Sequence, residues 1–196
     1  MRHFFKLAGF VVAFSLTSCN ADAQQKDNYS SKIDSLVKAT NPRSFNGVVF
    51  IQQNGKIKYE KAYGYVDFNK KTPLKISDRL STMSIAKQIT ATLILQEVEK
   101  GTIDLHKPIR KYLPDFDYSW ADTITVHHLL NHTSGLYSDY LKPNLKLKTG
   151  KEFSYSNVGY SVAGMVLEKQ SGKTYNELVT ALFKKCKMNS SSYPTE

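Results

Sequence analysis

Hydrophobic residues near the start of the chain follow the two-residue spacing of β-strands. Residues 45–52 are rich in apolar and β-branched side chains, and residues 56–65 alternate between apolar and polar ones. The dipeptide Asn54-Gly55 separates the two runs. Because Asn-Gly favours the tight turn that joins antiparallel strands, this pattern predicts a β-hairpin. We interpret the hairpin as scaffold.

Elsewhere the apolar positions recur at three- to five-residue intervals, which is typical of helices packed against a core. Thr125, Thr174 and Glu177 supply capping signals. The predicted helices cover residues 33–39, Ser84 to Gly101, residues 125–131, Val158 to Gly172, and the segment after Thr174. The side chains expected to face inward are Ile33, Leu36, Val37, Ile85, Ala86, Ile89, Leu93, Ile94, Val98, Val126, Leu129, Leu130, Val158, Val162, Met165 and Val166.

One tetrapeptide at a predicted helix start has the chemistry of a nucleophile. Ser84-Ile85-Ala86-Lys87 has the spacing Ser-x-x-Lys. Free backbone N–H groups and the positive end of the helix dipole favour a developing negative charge beside Ser84. Lys87 lies about one turn further along the same face, and a desolvated lysine can activate a serine hydroxyl. The tetrapeptide therefore predicts an acylatable serine.

A second Ser-x-x-Lys tetrapeptide, Ser35-Leu36-Val37-Lys38, lies in the first predicted helix. Short matches of this kind arise by chance in a chain rich in serine and lysine, so context has to separate them. In the helical pattern Ser35 and Lys38 fall on the polar side. We interpret this match as a solvated surface.

The first residues have the pattern of an export signal. Arg2 and Lys6 give a positive start, an apolar run follows over residues 7–16, and no acidic residue occurs before Asp22. The apolar run is too short to span a bilayer as a stable helix. The pattern therefore predicts a protein that works outside the cytoplasm.

The end of this signal resembles a bacterial lipoprotein signal. From Leu16-Thr17-Ser18-Cys19 we expect removal of residues 1–18 and lipidation of Cys19. A flexible tether over residues 19–31 would then carry the domain, residues 32–196, on the membrane, facing the periplasm or the cell exterior. The alternative is an ordinary signal peptide cut after residues 21–23, which leaves a soluble periplasmic protein.

The chain is basic, with 27 Lys and Arg residues against 17 Asp and Glu residues and a formal net charge of +10. The lysines are scattered, and neither an arginine-rich helix nor an aromatic-basic alternation occurs, so we expect no nucleic-acid binding. Attraction to anionic lipid or to an anionic cell-wall polymer fits the charge as well. With Cys19 lipidated, Cys186 would be the one remaining thiol, so no internal disulfide is expected.

Three histidines in the middle of the chain raise the question of a metal site. His127, His128 and His132 have no acidic or cysteine partner at ligand spacing, and adjacent histidines point in different directions on a helix. We expect no metal and no cofactor. His132-Thr133-Ser134-Gly135 is interpreted as a helix terminus and turn.

The second candidate motif is Tyr155-Ser156-Asn157, which follows the lysine-rich stretch 142–151 and precedes a predicted helix. A phenol whose pKa is lowered by nearby lysines can move protons. An asparagine amide can hold a carbonyl or orient an ammonium group. Tyr155 and Asn157 thus lie at a loop-to-helix junction, as Ser84 does.

Three stretches together resemble the serine hydrolases of the class C β-lactamase and D-Ala-D-Ala carboxypeptidase type. They are residues 84–91 with the following helix and residues 112–114, residues 129–136, and residues 155–157, in the order and spacing of that family. The predicted hairpin agrees as well. The resemblance implies an α+β fold, an α/β sandwich in which an antiparallel sheet is flanked by helices beside an all-helical subdomain.

The resemblance also implies a role for each candidate residue. Ser84 would be the acylated nucleophile, with its backbone N–H as one oxyanion donor, and Lys87 would be its proton acceptor or electrostatic activator. Tyr155 would be a general base and acid, and Asn157 would bind substrate and Lys87. Which of Lys87 and Tyr155 takes the first proton stays open, because the two groups would titrate as a coupled pair.

The implied substrate is a small molecule or a peptidoglycan-like peptide: a β-lactam, a D-amino-acid peptide or a small ester. The family's third motif, Lys-Thr-Gly or His-x-Gly on a later strand, is missing after Asn157; Lys148-Thr149-Gly150 precedes Tyr155 and is interpreted as a coincidence. We therefore expect only the N-terminal hairpin of the family's sheet, as in the N-terminal part of a longer enzyme. The alternative is a catalytically poor or inactive lipid-anchored binding module of the same fold. The oligomeric state is not predicted.

Overall fold

The computed structural model describes residues 29–39, 44–137, 144–145 and 147–194. The predicted signal peptide, Cys19 and most of the predicted tether lie outside these residues. The chain divides into two compact units, Met1–Asp78 and Arg79–Glu196.

The hairpin predicted from the Asn-Gly signal is present in the first unit. Strands β1 (Gly47–Gln53) and β2 (Lys56–Tyr63) pair antiparallel. Asn54 and Gly55 have positive φ angles of 50° and 74°, the conformation that a tight two-residue hairpin turn requires. A second short antiparallel pair follows, formed by β3 (Tyr65–Asp67) and β4 (Thr72–Pro73).

Helix α1 (Tyr29–Lys38) begins inside the predicted tether rather than at residue 33. The prediction that Leu36 faces inward is wrong, because its side chain is 75 % exposed. A polar contact joins the helix to the hairpin. Asp34 accepts hydrogen bonds from the Tyr63 hydroxyl at 2.7 Å and from Lys61 Nζ at 2.9 Å.

The second unit is mainly helical in the part of the chain that the structure describes. Its helices are α2 (Ala86–Glu99), α3 (Val126–Leu130), α4 (Asn157–Ser171) and α5 (Tyr175–Lys185), with 3₁₀ turns at Met83–Ile85, Ile109–Lys111 and Ser119–Asp122. Strands β5 (Leu136–Tyr137) and β6 (Asn144–Leu145) form a short antiparallel pair. These small sheets and helices confirm the α+β fold class. No helix among the described residues combines the length and the apolar character that a membrane span requires.

The core of the second unit is formed mainly by α2, α3, α4 and the segment between α2 and α3. Its fully buried side chains include Ile94, Ile109, Ile124, Val126, Leu129, Val166 and Leu167. Two side chains predicted to face inward do not: Ile85 is 63 % exposed and Met165 is 42 % exposed. Ile85 belongs to the 3₁₀ turn before α2, where the helical register has not begun, and Met165 lies beside the buried stripe of α4.

Caps fix several of the helix boundaries that the sequence predicted. Thr125 and Thr174 each accept a hydrogen bond from the backbone N–H of the residue three positions later at 3.3 Å. In each case the side chain of that residue accepts a hydrogen bond from the threonine backbone N–H, which completes a capping box. Gly172 ends α4 with a φ of 66°. These caps set where α3, α4 and α5 lie on the core.

Candidate active site

Ser84 lies where the chain enters α2. Its 3₁₀ turn, Met83–Ile85, runs directly into the helix, so the hydroxyl is at the N-terminal end of α2, as predicted. Met83 has a φ of 47°, a left-handed conformation that is unfavourable for a residue with a side chain. This turn leaves Ser84 exposed at the surface of the unit.

Lys87 is half-buried in the first turn of α2. Its ammonium donates to Asn157 Oδ1 at 2.8 Å and to Ser84 Oγ at 3.4 Å. One positive charge therefore contacts both the candidate nucleophile and the second motif.

Tyr155 completes the contact with the serine. Its hydroxyl donates to Ser84 Oγ at 2.7 Å, and the side chain is 48 % exposed. The hydrogen bond with Lys87, and to a smaller extent the one with Ser84, holds the pKa of the Tyr155 phenol below its ordinary value. At a given pH below its pKa, a phenol whose pKa is lowered has a larger fraction in the phenolate form, which is the form that accepts a proton.

The loop that carries Tyr155 is fixed by the start of α4. Ser156 is 2 % exposed, and its Oγ accepts the backbone N–H of Gly159 at 2.8 Å, which caps the helix. Asn157 is therefore the first residue of α4. Because α4 packs against α2, Asn157 reaches Lys87 across 70 positions of sequence.

The four residues predicted from the two motifs thus meet at one place. The arrangement brings a serine hydroxyl together with a phenol of lowered pKa, an ammonium group and an amide oxygen. A hydroxyl becomes a nucleophile when an adjacent group can take its proton and a cation favours the resulting negative charge. The site can therefore support attack by Ser84 on an electrophilic carbonyl.

Two aromatic side chains at this site were not among the predicted site residues. The His132 ring centroid lies 4.5 Å from that of Tyr155 and 5.1 Å from that of Tyr160. Lys87 Nζ lies 5.0 Å from the Tyr155 ring centroid and 5.5 Å from that of Tyr160. Tyr160 follows Asn157 by one helical turn, and this spacing could have identified it.

The triplet Lys148-Thr149-Gly150 forms a turn and not a strand. Gly150 N–H donates to the Thr133 carbonyl at 2.8 Å, and Thr149 Oγ1 donates to the Ser134 carbonyl at 3.2 Å. Gly150 has a φ of 74°, which favours glycine. The triplet therefore supports the segment after α3, the turn that begins at His132.

The three histidines of the middle region do not converge. His127 lies beside His106, with ring centroids 5.1 Å apart, whereas His132 packs on Tyr155. His132 has a φ of 61° and Gly135 one of 73°, which confirms the predicted turn. Within the described residues, no group of three or more His, Cys, Asp or Glu side chains is placed to hold a metal ion.

The second Ser-x-x-Lys tetrapeptide lies on the exposed side of α1. Ser35 and Lys38 are both exposed, which confirms their interpretation as a solvated surface. Ser35 Oγ donates to the Ser31 carbonyl of its own helix at 2.8 Å. The two tetrapeptides therefore differ in their surroundings, although their sequences share one pattern.

Comparison with known proteins finds the chain similar to β-lactamase-related proteins. Residues 33–196 match the protein family described as Beta-lactamase. Penicillin-binding protein 4* of Bacillus subtilis (strain 168) is 29% identical, and the match covers 84% of this chain and 42% of that protein.

Solved structures show a similarity to related proteins as well. The crystal structure of FmtA from Staphylococcus aureus superposes with a TM-score of 0.71 at 31% identity, covering 85% of this chain and 51% of that chain. D-amino acid amidase from Ochrobactrum anthropi SV3, in a complex with L-phenylalanine, gives a TM-score of 0.63 at 26% identity, covering 79% of this chain and 49% of that chain. The chain thus spans about half the length of these relatives, or less.

Proposed function

This chain belongs to the Beta-lactamase family of serine hydrolases, and we propose that it cleaves an ester or amide through an acyl-Ser84 intermediate. The observation that carries the proposal is the 2.7 Å contact between Ser84 Oγ and the hydroxyl of Tyr155, whose pKa is lowered. It supplies a nucleophile and a proton acceptor at hydrogen-bond distance.

In the proposed first step, the ionised Tyr155 phenolate takes the proton of Ser84 Oγ. The serine oxygen then forms a bond to the substrate carbonyl carbon, and the carbonyl electrons move onto oxygen. The backbone N–H of Ser84, at the N-terminal end of α2, is proposed to donate to that oxyanion. Tyr155 next gives its proton to the leaving nitrogen or oxygen as the bond to carbon breaks.

Tyr155, rather than Lys87, is proposed to take the first proton. The phenol oxygen is 2.7 Å from Ser84 Oγ, whereas Lys87 Nζ is 3.4 Å away and donates to Asn157. A lysine that already donates two hydrogen bonds as an ammonium group favours the ionised form of the phenol. Asn157 is proposed to hold this ammonium in place and to contact the substrate.

The second proposed step returns the enzyme to its starting state. Tyr155 takes a proton from water, the water oxygen attacks the acyl carbon, and the bond to Ser84 Oγ breaks as that oxygen regains a proton. The net reaction is hydrolysis of one ester or amide bond. Transfer to an amine would follow the same path, with the amine in place of water.

The proposed substrates are β-lactams, D-amino-acid peptides of the peptidoglycan kind and small esters. Two relatives support this range by their names, a penicillin-binding protein and a D-amino acid amidase. All three substrate classes present a carbonyl that an activated serine can attack, so the site alone does not rank them.

Export and lipid anchoring are part of the proposal. They are supported by the basic, apolar and Cys19-containing pattern of the first residues. In cells producing the full chain, Cys19→Ala is expected to move the protein from the membrane fraction to the soluble fraction. A Cys19→Ala protein that stays in the membrane fraction would show that Cys19 is not the anchor.

Intact-mass spectrometry tests the acyl-serine proposal. The purified chain is treated with a fluorophosphonate probe and, separately, with a penicillin. We expect one covalent adduct with the probe, complete loss of that adduct in Ser84→Ala, and no loss in the matched control Ser35→Ala. The Ser35 variant changes the other Ser-x-x-Lys serine, which lies on the exposed side of α1.

The outcomes separate the proposed enzyme from the alternative of a non-catalytic binding module. A folded chain that forms no adduct, or whose adduct survives in Ser84→Ala, contradicts the proposal. A penicillin adduct on Ser84 in addition would include β-lactams in the substrate range. A probe adduct without a penicillin adduct would direct screening to D-amino-acid peptides and esters.

A further inference from the structure

We infer that His132 is a positioning residue that holds the Tyr155 phenol against Ser84 and Lys87. The inference rests on the proposed function, because it assigns a role toward the proposed proton acceptor. Among the described residues, the hydrogen bonds and ring contacts of His132 include those to Phe153, Ser154, Tyr155, Ser156 and Tyr160, and none goes to Ser84. Its effect would come from fixing the loop on both sides of Tyr155.

The backbone neighbours of Tyr155 are both bound to His132. The N–H of Ser154 donates to the His132 carbonyl at 2.7 Å. The N–H of Ser156 donates to His132 Nδ1 at 3.1 Å. One histidine therefore binds the residue before Tyr155 and the residue after it, which leaves the peptide units around Tyr155 little freedom to turn.

The His132 ring also packs on the phenol that it positions. Its plane is tilted by 31° from that of Tyr155 at a centroid distance of 4.5 Å, and the Tyr160 ring lies on it at 5.1 Å. Tyr160 is in turn held to the end of α3, because its hydroxyl donates to the Leu130 carbonyl at 2.9 Å. The histidine is thus fixed between α4 and the turn after α3.

This arrangement requires a neutral histidine with its proton on Nε2. A histidine accepts a hydrogen bond only through an unprotonated ring nitrogen, so the Ser156 N–H assigns Nδ1 as that nitrogen. Burial and the charge of Lys87 lower the pKa of His132, which favours the neutral form. The titratable groups that face the ring are Lys87 from α2, Tyr155 from the loop and Tyr160 from α4.

Two substitutions separate the hydrogen bond from the ring. His132→Asn keeps an acceptor near the Nδ1 position and tolerates the left-handed backbone, whereas His132→Phe keeps a ring and removes the acceptor. The measurement is the rate of fluorophosphonate labelling of Ser84 in the full chain, followed by intact mass from about pH 5 to about pH 11.

In His132→Phe we expect labelling at neutral pH to fall by about 100-fold, the effect of a misplacement on the order of an ångström. The midpoint of the pH profile should also move to higher pH, because Tyr155 would lose the contacts that lower its pKa. His132→Asn should stay within about fivefold of the wild-type rate, with a midpoint between those of the other two proteins.

The pH midpoint distinguishes positioning from a purely structural role. A slower His132→Phe protein with an unchanged midpoint would overturn the inference, because lost folding lowers the rate without moving the pKa of Tyr155. Equal rates and midpoints in all three proteins would overturn it as well. If the wild-type chain is not labelled, it is the proposed function that fails.

Nitrogen NMR of the wild-type imidazole tests the inference without labelling or a variant. We expect the His132 resonances of a neutral ring with the proton on Nε2 at neutral pH. A proton on Nδ1 would overturn the inference even if no variant folds, because the Ser156 N–H would then have no acceptor there.

Discussion

Two clusters in this protein, one in each compact unit, combine tyrosine with lysine, yet the pKa of Tyr59 in one and the pKa of Tyr155 in the other are shifted in opposite directions. In the first unit, Asp34 accepts from the hydroxyls of Tyr59 and Tyr63 and from Lys61. Burial and the hydrogen bond to Asp34 raise the pKa of Tyr59. In the second unit, Lys87 and the hydrogen bond to Ser84 lower the pKa of Tyr155.

The difference comes from the carboxylate and from burial. The Lys61 ammonium is paired with Asp34 at 2.9 Å, and Tyr59 is 4 % exposed. Lys87 instead donates to the neutral amide oxygen of Asn157. Among the described residues, no carboxylate forms an ion pair with Lys87. Tyr155 is also 48 % exposed. An uncompensated cation stabilises a phenolate, whereas a carboxylate that accepts a hydrogen bond from the phenol stabilises the neutral phenol. The same residue types thus build a structural contact in one unit and a candidate catalytic pair in the other.

The largest effect is expected from removing the cation of the second cluster. Lys87→Met should slow labelling of Ser84 by roughly 1,000-fold at neutral pH, because both the activation of Ser84 and the lowered pKa of Tyr155 depend on that ammonium. The rate is followed by intact mass with a fluorophosphonate. Lys38→Met, in the second tetrapeptide, is the matched control and should label at the wild-type rate; equal rates for both variants would contradict the comparison.

A smaller effect is expected from placing a carboxylate beside Lys87, as Asp34 lies beside Lys61 in the first cluster. Asn157→Asp places a carboxylate on Lys87, so the pKa of Tyr155 should rise and labelling at neutral pH should fall about tenfold. The pH profile of labelling measures the shift.

Asn157→Ala is the matched control, since it removes the amide without adding charge. Its rate should fall, but its midpoint should stay closer to that of the wild type than the midpoint of Asn157→Asp. Equal midpoints in the two variants would mean that charge at this position does not set the pKa of Tyr155.

The smallest effect is expected in the first cluster. The pKa of Asp34 is lowered by its hydrogen bonds to Tyr59, Lys61 and Tyr63, so its contribution to stability is present above the ordinary carboxyl pKa of 3.8 and is lost as the pH falls below it. Asp34→Asn should reduce the amide-exchange protection of α1 by at most about fivefold near neutral pH. The same substitution should remove the loss of that protection at acid pH.

Hydrogen exchange, corrected for the intrinsic rate at each pH, measures this protection. Ser35→Ala, on the exposed side of the same helix, is the control and should keep the acid dependence. An Asp34→Asn protein that keeps it would contradict the role given to this carboxylate.

The local signals in the sequence were sufficient for the hairpin and the caps, whereas the meeting of the two motifs was implied only by the resemblance to the family. Asn54-Gly55 predicted the turn because its conformation depends on neighbouring residues alone. Ile85 and Met165 were misassigned because periodicity does not show where a 3₁₀ turn gives way to a helix or how wide the buried stripe is.

The role of His132 could not be predicted for a different reason. Its hydrogen bond with Ser156 crosses 24 positions of sequence, and this bond and the ring contact with Tyr155 depend on the packing of α3 and α4. Spacing within one element carries no information about such a contact. The first cluster shows the same limit, since only the structure places Asp34 beside Tyr59 and Lys61.

We propose Tyr155 as the proton acceptor for Ser84 and as a phenol that ionises more readily than an ordinary tyrosine. The most direct test is the rate of Ser84 labelling by a fluorophosphonate from about pH 5 to about pH 11, in the wild type and in Tyr155→Phe. We predict a rise whose midpoint lies below the ordinary tyrosine value of 10.0 and which disappears in Tyr155→Phe. A midpoint at or above that value, or the same rise in Tyr155→Phe, would contradict the account.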